Sequence, residues 1–294
     1  MRVPELPEVE ALALDLRSRL RDRAITKIHL VQFSALKTYD PPLSALEGTL
    51  VDDVRRHGKF LDLEASGVHL VLHLARAGWV RWRDEVPAVP PRPSTKSTLA
   101  ARVVLDTEAG LDITEAGTKK SLALYVVNDP ADVPGIASLG PDPLTDDFTK
   151  ERLREILAAQ GKKQIKGVLR HQGTIAGIGN AYSDEILHAA RMSPFKPADA
   201  LLSSAGDGEL DVLYNAIRST LTDAVERSRG LAASELKGEK KSNMAVHGRT
   251  GLPCPVCGDT VREVSFADSS LQYCPTCQTG GKPLADRRMS KLLK

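Results

Sequence analysis

The spacing of apolar residues divides the chain into segments of different structure. Close to its start, apolar residues recur every three or four positions, as on one face of a helix: Val9, Leu12, Ala13, Leu16 and Leu20. Pro7 and Glu8 lie just before this run. Proline suits the first helical turn and a carboxylate suits the positive end of the helix dipole, so a helix is predicted here.

From residue 25 to about 125 the pattern is that of strands. Residues 60–63 and 68–74 alternate or run apolar around an Ala-Ser-Gly turn, which predicts a hairpin. Further strands are predicted at 78–82, 101–105 and 111–113, and the proline-rich segment 87–93 is predicted to be a loop. One helix followed by many strands predicts a β-sandwich.

Beyond a linker at 139–144 the apolar residues return to helical spacing, which predicts helices at 148–159, 165–171, 181–190 and 210–228. A tight Gly-Ile-Gly turn before Asn180 places backbone amides at a helix start, a natural seat for phosphate. The predicted fold class is therefore α+β and multidomain. Its parts are a sandwich domain at 1–135, a linker at 136–148, a helical domain at 149–244 and a cysteine-containing segment at 245–294.

All four cysteines lie in two CxxC pairs separated by sixteen residues: Cys254, Cys257, Cys274 and Cys277. Two pairs at this spacing place four thiolates tetrahedrally around one zinc ion. Four thiolates fill the coordination sphere, so the ion is expected to hold the fold and not to activate water. Redox pairs, free buried cysteines and a zinc ribbon that binds a protein partner are the alternatives.

The charge of the chain is informative only in one region, near its C-terminal end. The formal net charge of +2 is too weak to indicate nucleic acid by itself. From Glu235 to Lys294, however, ten Lys and Arg residues face six Asp and Glu residues. Such an end is usually a solvated tail, and the zinc site before it favours a binding arm instead. No apolar run approaches the roughly 20 residues of a membrane span, and no signal sequence is recognised, so a cytoplasmic protein is expected.

Five motifs occur in order along the chain: PELPEVE at 4–10, RHGKF at 56–60, LGPDPL at 139–144, AGIGNAYSDE at 176–185 and HGRTGLPCPVCG at 247–258. With the zinc spacing, they resemble the formamidopyrimidine-DNA glycosylase / endonuclease VIII family over nearly the whole chain. The resemblance implies an N-terminal β-sandwich, a helix-two-turn-helix domain and a zinc finger, with DNA between them. It also implies a bacterial protein that is monomeric and associated with the nucleoid. Such a protein is expected to bind damaged double-stranded DNA and one structural Zn²⁺. No interaction with a membrane is expected.

The resemblance also implies site residues. Pro4 matches the family's N-terminal proline nucleophile, Glu5 its catalytic carboxylate, and Lys59 a lysine at the lesion phosphate. An α-amino group has a pKa of about 8, so part of it is neutral at pH 7 and can attack the sugar C1′. A neighbouring carboxylate can move protons during the reaction. Glu8 and Glu185 match acidic residues that support the site, and for each a structural helix-end charge is the alternative.

The residues Met1, Arg2 and Val3 precede Pro4. If they remain attached, the proline nitrogen lies in an amide and is not a nucleophile. We therefore expect Val3 to be the true start, with a GUG codon read as an initiator methionine that is removed before proline.

Lys166 and Asn180 match residues that grip backbone phosphates around the flipped nucleotide, contacts that position DNA without reading its sequence. Arg76 stands where many members carry a wedge methionine. Lys119 and Lys120 lie where many members have an Asp-Pro-Arg-Arg-Phe-Gly loop. We expect these three basic residues to replace part of the missing wedge.

Two further departures concern the rest of the DNA contacts. Ser269 stands where the zinc finger usually has an arginine, and Arg262 is the candidate replacement. The segment 229–246 is short for the loop that caps 8-oxoguanine in one branch. Base flipping costs a few kcal/mol and the pocket decides which base is flipped. An oxidised pyrimidine, an abasic site, a bulky adduct and single-stranded DNA therefore all stay open as substrates.

The expected function is base-excision repair by a DNA glycosylase with abasic-site lyase activity. The first alternative is a damaged-DNA-binding protein that keeps this fold without its chemistry. The second is a zinc-ribbon interaction protein with no role on DNA.

Overall fold

The computed structural model describes residues 4–202, 208–266 and 269–285. The chain forms two compact units, one of residues up to Leu139 together with Val225–Glu239, the other of Gly140–Ala224 together with residues from Lys240 onward. Met1 to Val3 and the basic residues from Arg287 to Lys294 lie outside the described residues.

The first unit begins with the predicted helix, α1 (Leu6–Leu20). Its apolar face is buried, and Leu12 and Leu16 are at most 1% exposed. Arg17 and Arg19 occupy its last turn, where cations offset the negative end of the helix dipole.

Eight strands form two antiparallel sheets. The first sheet has the order β1-β6-β7-β5 and the second has the order β2-β3-β4-β8. The strands are β1 (Ile25–Leu30), β2 (Val51–His57), β3 (Phe60–Ala65), β4 (Val68–His73), β5 (Gly78–Arg83), β6 (Leu99–Leu105), β7 (Gly110–Glu115) and β8 (Ala123–Val127). One hydrophobic core takes residues from both sheets and from α1, among them Leu16, Val103 and Leu72. The predicted β-sandwich with its N-terminal helix is confirmed.

After the short helix α2 (Pro134–Ala137), the second unit contains the helices α3 (Lys150–Gln160), α4 (Ile165–Arg170) and α5 (Asn180–Ala189). The longer helix α6 (Gly208–Ser228) follows. These four agree with the helices that the apolar spacing predicts. The hydroxyl of Thr149 accepts a hydrogen bond from the amide of Arg152 and caps α3.

The segment after α6 departs from the predicted division of the chain, which places residues 149–244 in one domain. Val225–Glu239 belongs to the first unit, because Ala233 and Leu236 are buried in the core of the sandwich. The helix α7 (Leu236–Ser242) continues from there. The other boundaries predicted for the domains stay predictions.

The cysteines flank a two-stranded hairpin of β9 (Arg262–Ser265) and β10 (Ser270–Tyr273), followed by the short helix α8 (Pro275–Thr279). The predicted zinc-finger hairpin is therefore present. Within the described ranges, no helix combines the length and the apolar character that crossing a membrane requires.

Candidate active site

Three connections of the second sheet meet at one end of it. Phe60, the first residue of β3, pairs with His57 on β2 and with His73 on β4, and His73 pairs with Ala123 on β8. All three connections therefore leave the sheet at the same end of its strands: the β2–β3 turn, the turn after β4 and the loop before β8. Lys59 lies in the first of these connections.

The start of α1 is a buried acidic site. Pro4 is buried, and Glu5 and Glu8 are 3% and 2% exposed. The Glu8 carboxylate accepts a hydrogen bond from the backbone amide of Glu5 at 2.8 Å. This bond satisfies one of the amides that a helix start leaves open and fixes the chain directly after Pro4.

Arg56 links α1 to the turn that carries Lys59. Its Nε donates to Oε2 of Glu10 on α1 at 2.6 Å, and one of its terminal nitrogens donates to the carbonyl oxygen of Gly58 at 3.2 Å. The Arg56 side chain is only 5% exposed. The Glu10 side chain is 27% exposed, so the pair is partly shielded from water and its charge-assisted bond links the two elements.

His73 reports the position of the Lys59 charge. Its ring lies 4.7 Å from the ring of Phe60 and is largely buried. Burial lowers the pKa of His73 below its usual value, and the nearby ammonium of Lys59 lowers it further. Lys59 therefore lies within electrostatic reach of the end of β4.

A buried carboxylate organises the same hairpin. Asp62, 1% exposed, bonds to Nε2 of His57 at 3.0 Å and to Nδ1 of His69 at 2.9 Å. His57 belongs to the RHGKF motif that carries Lys59. The structure ties it to Asp62, so its contact supports the turn that carries Lys59.

Arg76 and Lys119 lie on adjacent loops. Arg76 is exposed in the turn between β4 and β5. The amide of Ala116 donates to the carbonyl oxygen of Ala77 at 3.2 Å, which joins this turn to the loop before β8. Lys119 is exposed in that loop. Arg76 and Lys119 are thus two cations at the sheet edge that also carries Lys59.

Lys120 differs from the sequence-based expectation. Its ammonium donates to the carbonyl oxygens of Glu115 at 2.6 Å and Ser97 at 3.3 Å. The Glu115 carboxylate, 1% exposed, accepts from the amides of Ser121 and Leu122. Lys120 is therefore a brace of the loop, and its charge is directed at the protein's own backbone.

Lys166 is also turned inward. It is 5% exposed, and its ammonium contacts Asp184 Oδ1 at 2.6 Å, Ser183 Oγ at 2.8 Å and the carbonyl oxygen of Asn180 at 3.2 Å. The second carboxylate oxygen of Asp184 bonds to Nδ1 of His247 at 2.8 Å. A phosphate contact by Lys166 would require breaking this buried ion pair, which costs several kcal/mol, and that contact stays a prediction.

Asn180 and Glu185 anchor the zinc-finger region to α5. The side-chain amide of Asn180 donates to the carbonyl oxygen of Ser270 at 2.8 Å. Glu185 accepts hydrogen bonds from the amides of Ala245, Val246 and His247 at 2.7–3.0 Å. Burial raises the pKa of Glu185, and these three amides offset part of that rise. These bonds favour the structural role that is the alternative to active-site support, and the active-site role stays a prediction.

The four cysteines form a cluster of the size that zinc needs. Their sulfur atoms lie within 4.8 Å of one another, with 3.3 Å between Cys257 and Cys274 and 3.9 Å between Cys254 and Cys277. A tetrahedral ion with bonds of about 2.3 Å separates its sulfur ligands by roughly 3.8 Å. Burial raises the pKa of Cys274 to about 11, so a cation is needed to hold this group as a thiolate at neutral pH. The residues fit one structural Zn²⁺, as predicted.

His188 adds a contact that the sequence did not suggest. Its Nε2 lies 3.3 Å from the sulfur of Cys254, and the imidazole is 6% exposed. When this nitrogen carries the proton, it donates to the sulfur and disperses the charge of a zinc-bound thiolate. A histidine within α5 gives no such signal in a sequence, because it lies 66 residues from Cys254.

The β-sandwich with its helix, the helical unit and the four-cysteine finger are each matched by a known family model. Residues 3–122 match the family model described as formamidopyrimidine-DNA glycosylase N-terminal domain. Residues 139–235 match the formamidopyrimidine-DNA glycosylase H2TH domain. Residues 251–280 match the zinc finger found in FPG and IleRS.

Individual proteins agree with these matches. The chain is 33% identical over 298 residues to a formamidopyrimidine-DNA glycosylase of Symbiobacterium thermophilum, covering 97% of this chain and 93% of that one. It is 59% identical over 164 residues to an uncharacterised formamidopyrimidine-DNA glycosylase-like protein of Mycobacterium tuberculosis, covering 56% of this chain and 99% of the relative. The chain therefore belongs to the formamidopyrimidine-DNA glycosylase / endonuclease VIII family of DNA-repair glycosylases.

Solved structures show the same fold. The crystal structure of MutM (Fpg) from Thermus thermophilus matches with a TM-score of 0.76 and 31% identity, covering 95% of this chain and all of that one. Fpg of Lactococcus lactis, bound non-covalently to DNA that contains an abasic site, matches with a TM-score of 0.79 and 25% identity. It covers 94% of this chain and 99% of the other.

Proposed function

We propose that this protein is a base-excision-repair glycosylase and abasic-site lyase whose nucleophile is the amine of Pro4. The observation that carries the proposal is the link made by Arg56 between Glu10 on α1 and the Gly58 carbonyl oxygen beside Lys59. It ties the helix that begins after Pro4 to the turn that carries the proposed phosphate ligand. A buried carboxylate, Glu5, lies directly after the proposed nucleophile.

The proposed reaction begins with attack of the Pro4 amine on the sugar of the damaged nucleotide. The Pro4 nitrogen bonds to C1′ while the bond from C1′ to the damaged base breaks, and the base leaves with the electron pair and takes up a proton. The sugar ring then opens to an iminium, and Glu5 supplies the proton to the ring oxygen. Loss of a proton from C2′ expels the 3′ phosphate, and water hydrolyses the iminium to free the amine.

The amine must be free for this reaction. We therefore propose that the mature chain begins at Pro4, with Val3 as the position of the initiator. The match of the family's N-terminal domain from residue 3 supports this start. A chain that retains residues 1–3 would carry the proline nitrogen in an amide without a nucleophilic lone pair.

The remaining predicted residues are proposed to position damaged DNA at the bacterial chromosome. Lys59 would neutralise a phosphate beside the lesion, and Arg76 with Lys119 would fill the space left by the flipped nucleotide. Asn180, whose side chain supports β10, would offer the backbone amides at the start of α5 to a second phosphate. Glu8 would hold the Pro4–Glu5 backbone, while Lys166 and Glu185 would keep α5 in place.

Borohydride trapping tests the proposal. The protein that begins at Pro4 is incubated with DNA containing one abasic site, and the reductant converts the iminium to a stable covalent adduct. We expect a one-to-one adduct, and we expect Glu5→Gln to slow its formation by about 100-fold or more, the usual effect of losing a positioned proton donor. Lys27→Gln, which removes an exposed lysine of the same unit, is the matched control.

The rival function makes the opposite forecast. A damaged-DNA-binding protein without catalytic activity would still bind the abasic DNA. It would yield no adduct at any reductant concentration. That result, obtained with a confirmed Pro4 N-terminus, would overturn the proposed enzyme.

A further inference from the structure

A cavity of about 530 Å³ lies in the first unit between α1, β5 and the segment that leads into α7. Both tryptophans of the chain, Trp79 and Trp82, line it. The volume lies within the 300–1,000 Å³ that small-molecule ligands occupy. None of the residues proposed for the lyase reaction lines this cavity.

The aromatic walls are fixed in position. The indole nitrogen of Trp79 donates to the carbonyl oxygen of Ala233 at 2.8 Å, and that of Trp82 donates to Asp84 Oδ1 at 2.9 Å. Ala233 and Leu236 are buried in the sandwich core, so the segment facing Trp79 is anchored as well. A site whose walls are already held in place loses little entropy when it binds a planar ligand.

Four basic side chains line the cavity: Arg19, Arg81, Arg83 and Lys237. They exceed the acidic lining residues Asp15 and Asp84 by two charges. The guanidinium of Arg19 lies 5.2 Å from the ring centre of Trp82, and the ammonium of Lys237 lies 4.4 Å from that of Trp79. Partial burial lowers the pKa of Lys237, and the charge of Arg81 lowers it further, so these two cations lie within electrostatic reach of each other.

The cavity is separate from the proposed active site. Asp15 and Arg19 lie nine and thirteen residues after Leu6, hence about 14 and 20 Å along α1 at 1.5 Å per residue. On the sheet side, Trp82 lies four residues beyond Gly78 and therefore about 13 Å along β5. A ligand held by Arg19 and Trp82 lies well away from Pro4.

We propose that this cavity is a second binding site, which takes one nucleotide unit with its base against Trp82 and its phosphate between Arg81 and Lys237. Aromatic faces stack any base, and guanidinium and ammonium groups pair with phosphate. The unit is either a free nucleotide or one residue of a single strand that passes outside the active site. In either form it adds a contact that the lyase reaction does not need.

The protein itself supplies the signal that tests this site. Because both tryptophans line the cavity, intrinsic tryptophan emission reports on this place alone. Deoxyadenosine monophosphate, deoxyadenosine and inorganic phosphate are titrated separately into the full chain. We expect saturable quenching by the monophosphate, weaker quenching by the nucleoside, and competition without quenching by phosphate. Rising salt should weaken the binding.

Two variants and one control make the test specific. Arg81→Ala should weaken binding of the monophosphate by about tenfold, the factor expected from losing one charge-assisted hydrogen bond. Trp82→Phe should remove most of the quenching. Arg55→Ala, which removes an exposed arginine from the other sheet, should change neither. An undamaged single-stranded oligonucleotide separates the two sources, since it binds more tightly than the monophosphate only if the cavity holds part of a strand.

The second binding site can be disproved independently of the proposed lyase function. Arg81→Ala should form the borohydride adduct at the wild-type rate, because Arg81 has no part in that reaction. Absence of saturable quenching in the wild-type chain, or quenching that Arg81→Ala and Trp82→Phe both leave intact, would overturn the second site while leaving the lyase untouched.

Discussion

The guanidinium of Arg56 holds the carboxylate of Glu10 at 2.6 Å and so couples the first helix to the turn beside it. Neighbouring Arg55 points the other way and pairs with Asp53 and Glu64 at the surface. Two adjacent arginines on one strand thus have different tasks, because successive side chains of a strand lie on opposite faces.

Replacing Arg56 by lysine should slow formation of the borohydride adduct. A lysine keeps the charge but loses the fork that reaches Glu10 and the Gly58 carbonyl oxygen together, so the turn with Lys59 shifts. We expect a loss of about tenfold or more in the trapping rate with little change in DNA affinity. Arg55→Lys is the control. If both variants react at the same rate, the link has no part in positioning Lys59.

Replacing Lys59 by glutamine should raise the pKa of His73. The Lys59 ammonium opposes protonation of the imidazole, so removing it makes the charged form less costly, while burial still keeps the pKa below the ordinary value. An NMR titration of the histidine ring measures the change. Lys27→Gln should leave the titration as it is, and an unchanged curve in Lys59→Gln would place the lysine elsewhere.

Replacing His188 by alanine should weaken the hold on zinc. Loss of a partner that bonds to a metal ligand usually costs about 10- to 100-fold in metal affinity. Competition with a chromophoric chelator measures the change, and His171→Ala, which removes an exposed histidine of the same unit, is the control. Equal zinc affinity in both variants would make the contact to Cys254 one of packing only.

Zinc removal itself should act on the second unit alone. The fold around the four cysteines depends on the ion, whereas the sandwich has its own hydrophobic core. Tryptophan emission, which comes only from the first unit, should keep its denaturation midpoint after chelation, while binding to abasic DNA is lost. Collapse of both signals together would contradict this division.

Asp112 should give the sandwich a defined acid sensitivity. Burial alone would raise its pKa, but the hydrogen bonds and charges of Arg102 and Arg83 outweigh burial and lower it. An acid with a lower pKa in the folded state stabilises the fold above its unfolded pKa of about 3.9. That contribution is lost as the pH falls through the folded value.

Asp112→Asn should therefore cost about 3–5 kcal/mol of unfolding free energy at pH 7, because buried Arg102 loses its partner. The difference from the wild type should shrink below about pH 4. Denaturant unfolding followed by tryptophan emission measures both, and Asp106→Asn, at an exposed position, is the control. A difference that persists unchanged in acid would contradict the assigned cause.

The sequence pattern predicted the central strands of both sandwich sheets but only one of their edge strands, β5. β3, β4, β6 and β7 carry dense apolar runs because both neighbours and the core cover them. The strands that were not individually predicted, β1, β2 and β8, lie at sheet edges. β2 has only two apolar residues, Val51 and Val54, since most of its other side chains reach solvent. In such a strand the alternation of apolar and polar residues is too weak to predict the strand.

The residues of the candidate site were likewise predictable only where a local sequence pattern indicates them. Spacing alone predicted the zinc ligands, because all four lie in two short motifs. The partners of Lys166 and Arg56 are 18 and 46 residues away along the chain, on other elements. No local pattern distinguishes an arginine that bridges two elements from one at the surface, such as Arg55. The burial of Lys166 therefore had to come from the structure.

The central claim is that the nitrogen of Pro4 forms the bond to DNA. The direct measurement is mass-spectrometric mapping of the borohydride adduct, made in parallel on a chain that begins at Pro4 and on one that retains residues 1–3. The account predicts an adduct on the Pro4 nitrogen in the first chain and none in the second. Equal adducts in both chains, mapped to a lysine, would contradict it.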